Sequence, residues 1–354
     1  MDEAQNASAA VERRGESSDG VVSNLYLAVL PERVRVVKAD LSSFEAQAGL
    51  VRLIIRAFGG SSESGWHSLS ASRYAEDGSI AASMLAPEST MKSVFGKNFA
   101  ENAAFSVHAE SWVVIRIGEG MAGFNEVGVA QKVCEPLAKS GITVMFVSSN
   151  REDYVLVPSS QLSNTLATLR LHFVCEVEGP YHEIDEEEAR RQRALSIESF
   201  VSENETHHHE IMSASDSYSL VDIPPHLRQV SAHGVLDLLF RIIDGKDSEN
   251  SDFVHIIQAE NEMSMMVRAG DAVLRSLRDG YYYGDSGGGW KRLRIGSAYL
   301  DLVEVGIVSS TTKVLSRIGI SVVYASTFDY DYLFVRTEDY EQAIEALAQT
   351  FVLL

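Results

Sequence analysis

Apolar residues fall in short blocks separated by polar turns, and the order of the blocks recurs along the chain. Trp112-Val113-Val114-Ile115-Arg116-Ile117 is rich in β-branched residues and predicts a strand, with a glycine-bounded loop over 118–123. From Asn125 onward, Val127, Val129, Val133, Cys134 and Leu137 follow helical spacing, and Gly141 stops the helix. A second strand is expected over 142–147 and a third over 154–157. A second helix follows over 159–171, with Leu162, Leu166 and Leu169 on one face, and a fourth strand over 173–177. The order is βαββαβ.

The same block returns. Residues 112–169 align with 290–347 without a gap at a constant offset of 178, matching Trp112/Trp290, Arg116/Arg294, Glu126/Glu304, Gly128/Gly306, Gly141/Gly319, Asp153/Asp331 and Tyr154/Tyr332. Weaker relatives of the unit precede each copy. Residues 33–37 begin the first, with two strands offered by residues 66–84. Residues 218–223 begin the third, with a helix over 235–243 and a hairpin formed by 253–258 and 264–267. The expected fold is α+β: four tandem ferredoxin-like units in two duplicated halves. The expected divisions are a disordered tail 1–22, units at 23–108 and 109–179, an acidic linker 180–216, and units at 217–287 and 288–354. A lone unit has a four-stranded sheet with helices on one face, so its other face or an edge requires a partner.

Thirty Lys and Arg against fifty Asp and Glu give a formal charge of −20, which argues against nucleic-acid and membrane partners. Two cysteines are too few for a disulfide framework, and the first twenty residues lack the apolar stretch of a secretory signal. A reduced, cytoplasmic protein is expected. His207-His208-His209 in the acidic linker reads as solvated chain rather than a metal site, and no cofactor is implied. Residues 284–289 (GDSGGG) read as a hinge because no Gly-Lys-Ser/Thr follows, and Tyr281-Tyr282-Tyr283 as an interdomain plug. Cys134 sits on the buried helical face. Arg116 and Arg294 are expected to pair with nearby acids. No nucleophile–base spacing appears, so no enzyme is expected.

Three segments carry a resemblance: Arg-Ile-Gly at the end of the first strand, Glu-Val-Gly-Ile-Val opening a helix from Glu304, and Ser-Thr-Phe-x-Tyr-Asp over 326–331. With tandem ACT-type units, these resemble the CASTOR family, cytosolic arginine sensors upstream of the TOR kinase. The resemblance implies a basic amino acid, arginine first, held by Asp301, Glu304, Ile307, Thr327, Phe328 and Asp331 of unit four, with Thr143 and Val144 of unit two. It implies output through a GATOR-type complex that touches the turn after the second strand of unit two, at Asn150, Arg151 and Asp153, and it allows a homodimer. Asp301 stands where the family has glycine, which leaves open arginine, another basic amino acid, or no ligand. Glu304 alone also reads as a helix-dipole acid and Asp331 as a turn acid. Two other classes compete: a ligand-free scaffold, and a regulatory subunit of an amino-acid biosynthetic enzyme.

Overall fold

The computed structural model describes residues 25–58, 65–74, 77–119, 127–177, 209–223, 228–244, 253–259, 262–269, 283–284, 289–296, 299–300 and 302–354. Unit one comprises β1 (Leu25–Asp40), α1 (Phe44–Leu53), β2 (His67–Arg73), β3 (Ile80–Pro87), α2 (Glu88–Phe95) and β4 (Phe105–Val107). Unit two comprises β5 (Trp112–Glu119), α3 (Val129–Lys139), β6 (Met145–Ser148), β7 (Asp153–Pro158), α4 (Leu162–Leu169) and β8 (Val174–Val177). Unit three has β9 (Glu210–Asp222), α5 (Arg228–Asp244), β10 (Phe253–Gln258), β11 (Met263–Arg268) and β12 (Tyr283–Gly284). Unit four has β13 (Trp290–Ile295), α6 (Ile307–Arg317), β14 (Val322–Ser326), β15 (Asp331–Arg336), α7 (Tyr340–Leu347) and β16 (Val352–Leu353).

The helices form where the spacing placed them. Val129, Ala130, Val133, Cys134 and Leu137 make the buried stripe of α3, and Ile307, Val308, Thr311, Thr312 and Leu315 that of α6. Each begins after a left-handed glycine, Gly128 (φ 85°) and Gly306 (φ 93°).

Each unit was expected to carry a four-stranded sheet whose other face or edge requires a partner, and the structure supplies that partner at the edges. The described strands form one sheet of 16, in which 12 close into a ring: β9–β11–β10–β2–β3–β1–β5–β7–β6–β14–β15–β13 and back to β9. Two long strands make this possible. The second half of β1 pairs with β3 and β4 of unit one, while its first half pairs with β5 and, in parallel, with β8 of unit two. β9 repeats the device, joining β11 and β12 to β13 and β16. Residues 210–216, which composition assigns to the linker, are therefore strand. They lie against β13, from Ile211↔Ile295 to Ser213↔Leu293.

Two seams close the ring between the halves. Between β2 and β10 the pairing is regular over six residues, from His67↔Gln258 to Ser72↔Phe253. Between β6 and β14 the ladder has one register pair, Val147↔Ala325, and two serine hydroxyls carry the rest. Phe146 N donates to Ser326 Oγ at 3.0 Å and Tyr324 N donates to Ser148 Oγ at 3.1 Å, related by the 178-residue offset.

Closure also supplies the missing partner for each sheet's second face. Val155 and Val157 of β7 join the helices in one core, with Leu333 and Val335 of β15. The alternating residues Tyr154 and Leu156 pack on the other face with Trp66 and Trp112, and Tyr332 and Phe334 with Tyr218 and Phe253. No helix among the described residues is long and apolar enough to cross a membrane.

Candidate ligand site between units two and four

Helices α3 and α6 pack on each other around the axis that relates the repeats. Lys313 Nζ lies 2.9 Å from Glu135 Oε1, a pair formed by equivalent positions, and Lys139 adds a contact at 3.0 Å. These cations hold the Glu135 carboxyl down at about 2. The amino end of each helix rests on the far end of the other, which brings the loop of unit four against the second strand of unit two.

That junction contains most of the expected residues. Thr143 Oγ1 donates to the Val303 carbonyl at 2.9 Å, tying the two units together. Glu304, next in the chain, lies 2.6 Å from His209 Nε2. Ile307 is part of the core under the helices and Val144 packs against it. Asp331 is buried and accepts a hydrogen bond from the Tyr324 hydroxyl at 2.8 Å. Burial pushes its carboxyl up, the hydrogen bonds from Tyr324 and Ser326 pull it down, and the charge of Glu304 raises it again, to about 6. A buried acid poised by a second carboxylate suits a cationic group, which would relieve both.

Thr327 and Phe328 sit in the adjoining turn and face elsewhere. Thr327 Oγ1 donates to the Tyr330 carbonyl at 2.7 Å, so its hydroxyl closes the turn. Phe328 packs with Val34, Val36, Trp66 and Leu85 on the sheet face away from the helices, and its backbone N donates to Ser83 Oγ at 2.9 Å. Asp329 follows, held by Lys38 at 2.7 Å and the Tyr74 hydroxyl at 2.9 Å. The turn beside the site is thus plugged into unit one. Asp301 lies outside the described residues, as do Glu126, His207, His208, Tyr281 and Tyr282.

The turn named for partner contact does the equivalent in unit three. Asn150 N donates to Ser264 Oγ at 2.9 Å, Arg151 Nε to Asp222 Oδ2 at 3.0 Å, and Ser149 Oγ to the buried Glu262 at 2.6 Å. Arg151 remains half exposed and Asp153 half buried. Arg116 lies 3.9 Å from Glu152, whereas Arg294 lies over the ring of Tyr330, 4.4 Å from its centroid. Tyr330 stands in the repeat where Glu152 does, which places an aromatic ring beside Arg294. Cys134 is wholly buried, and burial followed by the charges of Asp153 and Asp331 raises its thiol well above the usual range, keeping it protonated.

Two residues here were missed from sequence. His209, expected to be solvated linker, is instead partly buried against Glu304, at the end of a polar tract with no periodicity to mark it. Tyr324 did carry a signal, since Phe146 stands at the equivalent place in the repeat.

A family model of the ACT domain matches residues 107–170 and 285–349. The chain is similar to the cytosolic arginine sensor for mTORC1 subunit 1 of several mammals. It is 24% identical to the rat protein over 254 residues, covering 67% of this chain and 74% of that one. The human protein is 24% identical over 255 residues, covering 67% and 75%, and the bovine protein 25% over 252 residues with the same coverage. Among solved structures, aspartate kinase from Synechocystis overlaps 94% of this chain and 56% of its own, at 14% identity and a TM-score of 0.33. The regulatory subunit of aspartate kinase from Thermus thermophilus, in its ligand-free form, overlaps 42% and 99%, at 13% identity and a TM-score of 0.29.

Proposed function

We propose that this chain is a non-enzymatic, cytoplasmic amino-acid sensor that holds a basic amino acid between units two and four. Four ACT-like units of ferredoxin-like order build the frame. The observation that carries the reading is the meeting of Glu304 with the buried Asp331 under a loop pinned by Thr143. Two acids at one junction match a ligand with two cationic groups, and arginine is the first candidate because relatives bear the name of arginine sensor. Glu304, Ile307 and Asp331 form the wall from unit four, with Asp301 in its loop and Thr327 and Phe328 in the turn that adjoins it, and Thr143 and Val144 form the wall from unit two.

The output is a ligand-dependent protein contact feeding TOR-kinase nutrient signalling, through a GATOR-type complex at Asn150, Arg151 and Asp153. The turn that carries Thr327 and Phe328 is held to unit one through Asp329, and the output turn is held to unit three through Asn150 and Arg151, so each turn beside the junction is anchored across the ring.

One observation favours a second reading, a ligand-free scaffold. Thr143, Glu304 and Asp331 each already have a partner inside the protein, in Val303, His209 and Tyr324. Thermal unfolding against each amino acid separates the two. A ligand of the folded state adds about 2.7 kcal/mol at a hundredfold excess over Kd. Arginine or lysine is expected to raise the melting temperature while leucine and glutamate do not. A flat response across all of them would leave the scaffold standing and remove the sensor.

A further inference from the structure

The halves of the chain, units one and two against units three and four, are joined inside the ring by two locks related by the repeat. In one, the turn after β14 reaches β3 and β1: Phe328 N donates to Ser83 Oγ at 2.9 Å, and Asp329 lies 2.7 Å from Lys38 Nζ. In the other, the turn after β6 reaches β11 and β9: Asn150 N donates to Ser264 Oγ at 2.9 Å, and Arg151 Nε donates to Asp222 Oδ2 at 3.0 Å. The positions correspond throughout. Asn150 and Arg151 stand 178 residues before Phe328 and Asp329. Lys38 lies opposite Ser83 in the β1–β3 ladder as Asp222 lies opposite Ser264 in the β9–β11 ladder.

The two locks use the same serine contact and opposite charges. A backbone N–H donating to a serine hydroxyl occurs in both, as it does where Ser148 and Ser326 join β6 to β14, so these bonds would serve any two halves equally. The ion pairs are different. In the first lock the strand carries the cation and the turn the anion, and in the second the order is exchanged. Both cations, Lys38 and Arg151, therefore belong to the first half, and both anions, Asp222 and Asp329, to the second. A ring made of two first halves would set Lys38 against Arg151 at both locks. A ring made of two second halves would set Asp222 against Asp329, with Glu262, which meets Ser149 in the native ring, as a further acid beside them. The side chains of Asp222 and Asp329 are each 5% exposed, so like charges there would meet where water screens little.

We infer that the exchanged ion pairs are a pairing code: the surface by which each half closes the ring accepts the complementary half and rejects a like one. A second copy of this chain can engage that surface only by offering its opposite half. Repeats that share strand order and seam contacts need such a repulsive element to be told apart. The inference stands on the two locks alone and holds whether or not the junction of units two and four takes a ligand.

The test uses the full chain with Val147→Cys as reporter. Val147 lies opposite Ala325 in the β6–β14 seam, so like halves would bring two copies of position 147 together. Each protein is refolded from urea at high concentration, where neighbouring chains compete with the tether, then oxidised. Peptide mass mapping detects the 147–147 disulfide and light scattering gives the particle mass. The parent is expected to show no such link. Lys38→Asp/Asp222→Lys makes each half complementary to itself and repels the other, so it should form the link and about double the parent's mass. Should that protein fail to fold, Arg151→Asp/Asp222→Arg answers the same question. It keeps every ion pair of the native ring attractive while making each half self-complementary as well, so linked and unlinked particles should coexist. Reversal of all four charges restores the code with its signs exchanged and should leave the chains unlinked. A link in the parent or in the fourfold reversal, or its absence from both self-complementary variants, overturns the code.

Discussion

Asp331 and Asp153 hold the same place in their repeats and differ in what surrounds them, and pH distinguishes the two. With its carboxyl raised to about 6, Asp331 keeps in the folded state a proton that the unfolded chain has released. Unliganded stability contributed by this group is therefore present at low pH and lost as pH rises from about 4 through about 6. A cationic ligand favours the carboxylate, so binding expels that proton. Affinity for arginine should rise between pH 5 and pH 7, by at most about tenfold per unit. Calorimetry in buffers of different ionisation heat would register the released proton near pH 6. In Asp331→Asn both slopes should vanish. A pH-independent affinity in the parent would mean that no cation meets Asp331. The family resemblance placed this residue at the junction, yet its burial was invisible in the sequence, because burial depends on Tyr324 and on a neighbouring unit. His209 was invisible for a different reason. Its tract lacks both periodicity and a repeat partner, so only the fold could bring it to Glu304.

At the scale of elements, the amino-terminal glycines of α3 and α6 set how closely the two helices approach. A Cβ on Gly128 would stand 3.0 Å from Ser316 Cβ, with φ already at +85°, whereas one on Gly306 would stand 3.9 Å from Ala138. Gly319 is left-handed too, at φ +78°, but nothing lies within 4 Å of a Cβ there. Gly128→Ala should therefore cost more than Gly319→Ala, which carries only the left-handed strain of about 1–2 kcal/mol. Chemical denaturation measures the difference, and equal losses would show that Ser316 yields freely. The helices and the repeated strands were legible because their apolar spacing is local. The double length of β1 was not. Its centre, residues 31–33, is exposed and polar, and the register with β5 shifts between Val29 and Arg33, so the strand reads as two pieces with a turn between. Nothing in that stretch announces that its first half belongs to the following unit.

For the whole molecule, the ring joins the halves more than the chain does. The β2–β10 ladder, the paired serines at β6–β14, and the contacts of Lys38 with Asp329 and Arg151 with Asp222 all cross from one half to the other. Residues 1–177 and 209–354, produced as separate chains and mixed, should run as one particle in size-exclusion chromatography and melt in one transition. Two stable species melting independently would show that each half completes its own fold. Either half by itself leaves two strands, β2 and β6 or β10 and β14, with a bare hydrogen-bonding edge, and both faces of β2 and β10 are buried in the finished ring. Such edges invite pairing with other chains. During synthesis, then, the first half emerges from the ribosome with β2 and β6 uncapped and stays so until β10 and β14 have been made. The closed sheet that hides every long edge in the finished protein makes the interval of translation between those strands its most aggregation-prone moment.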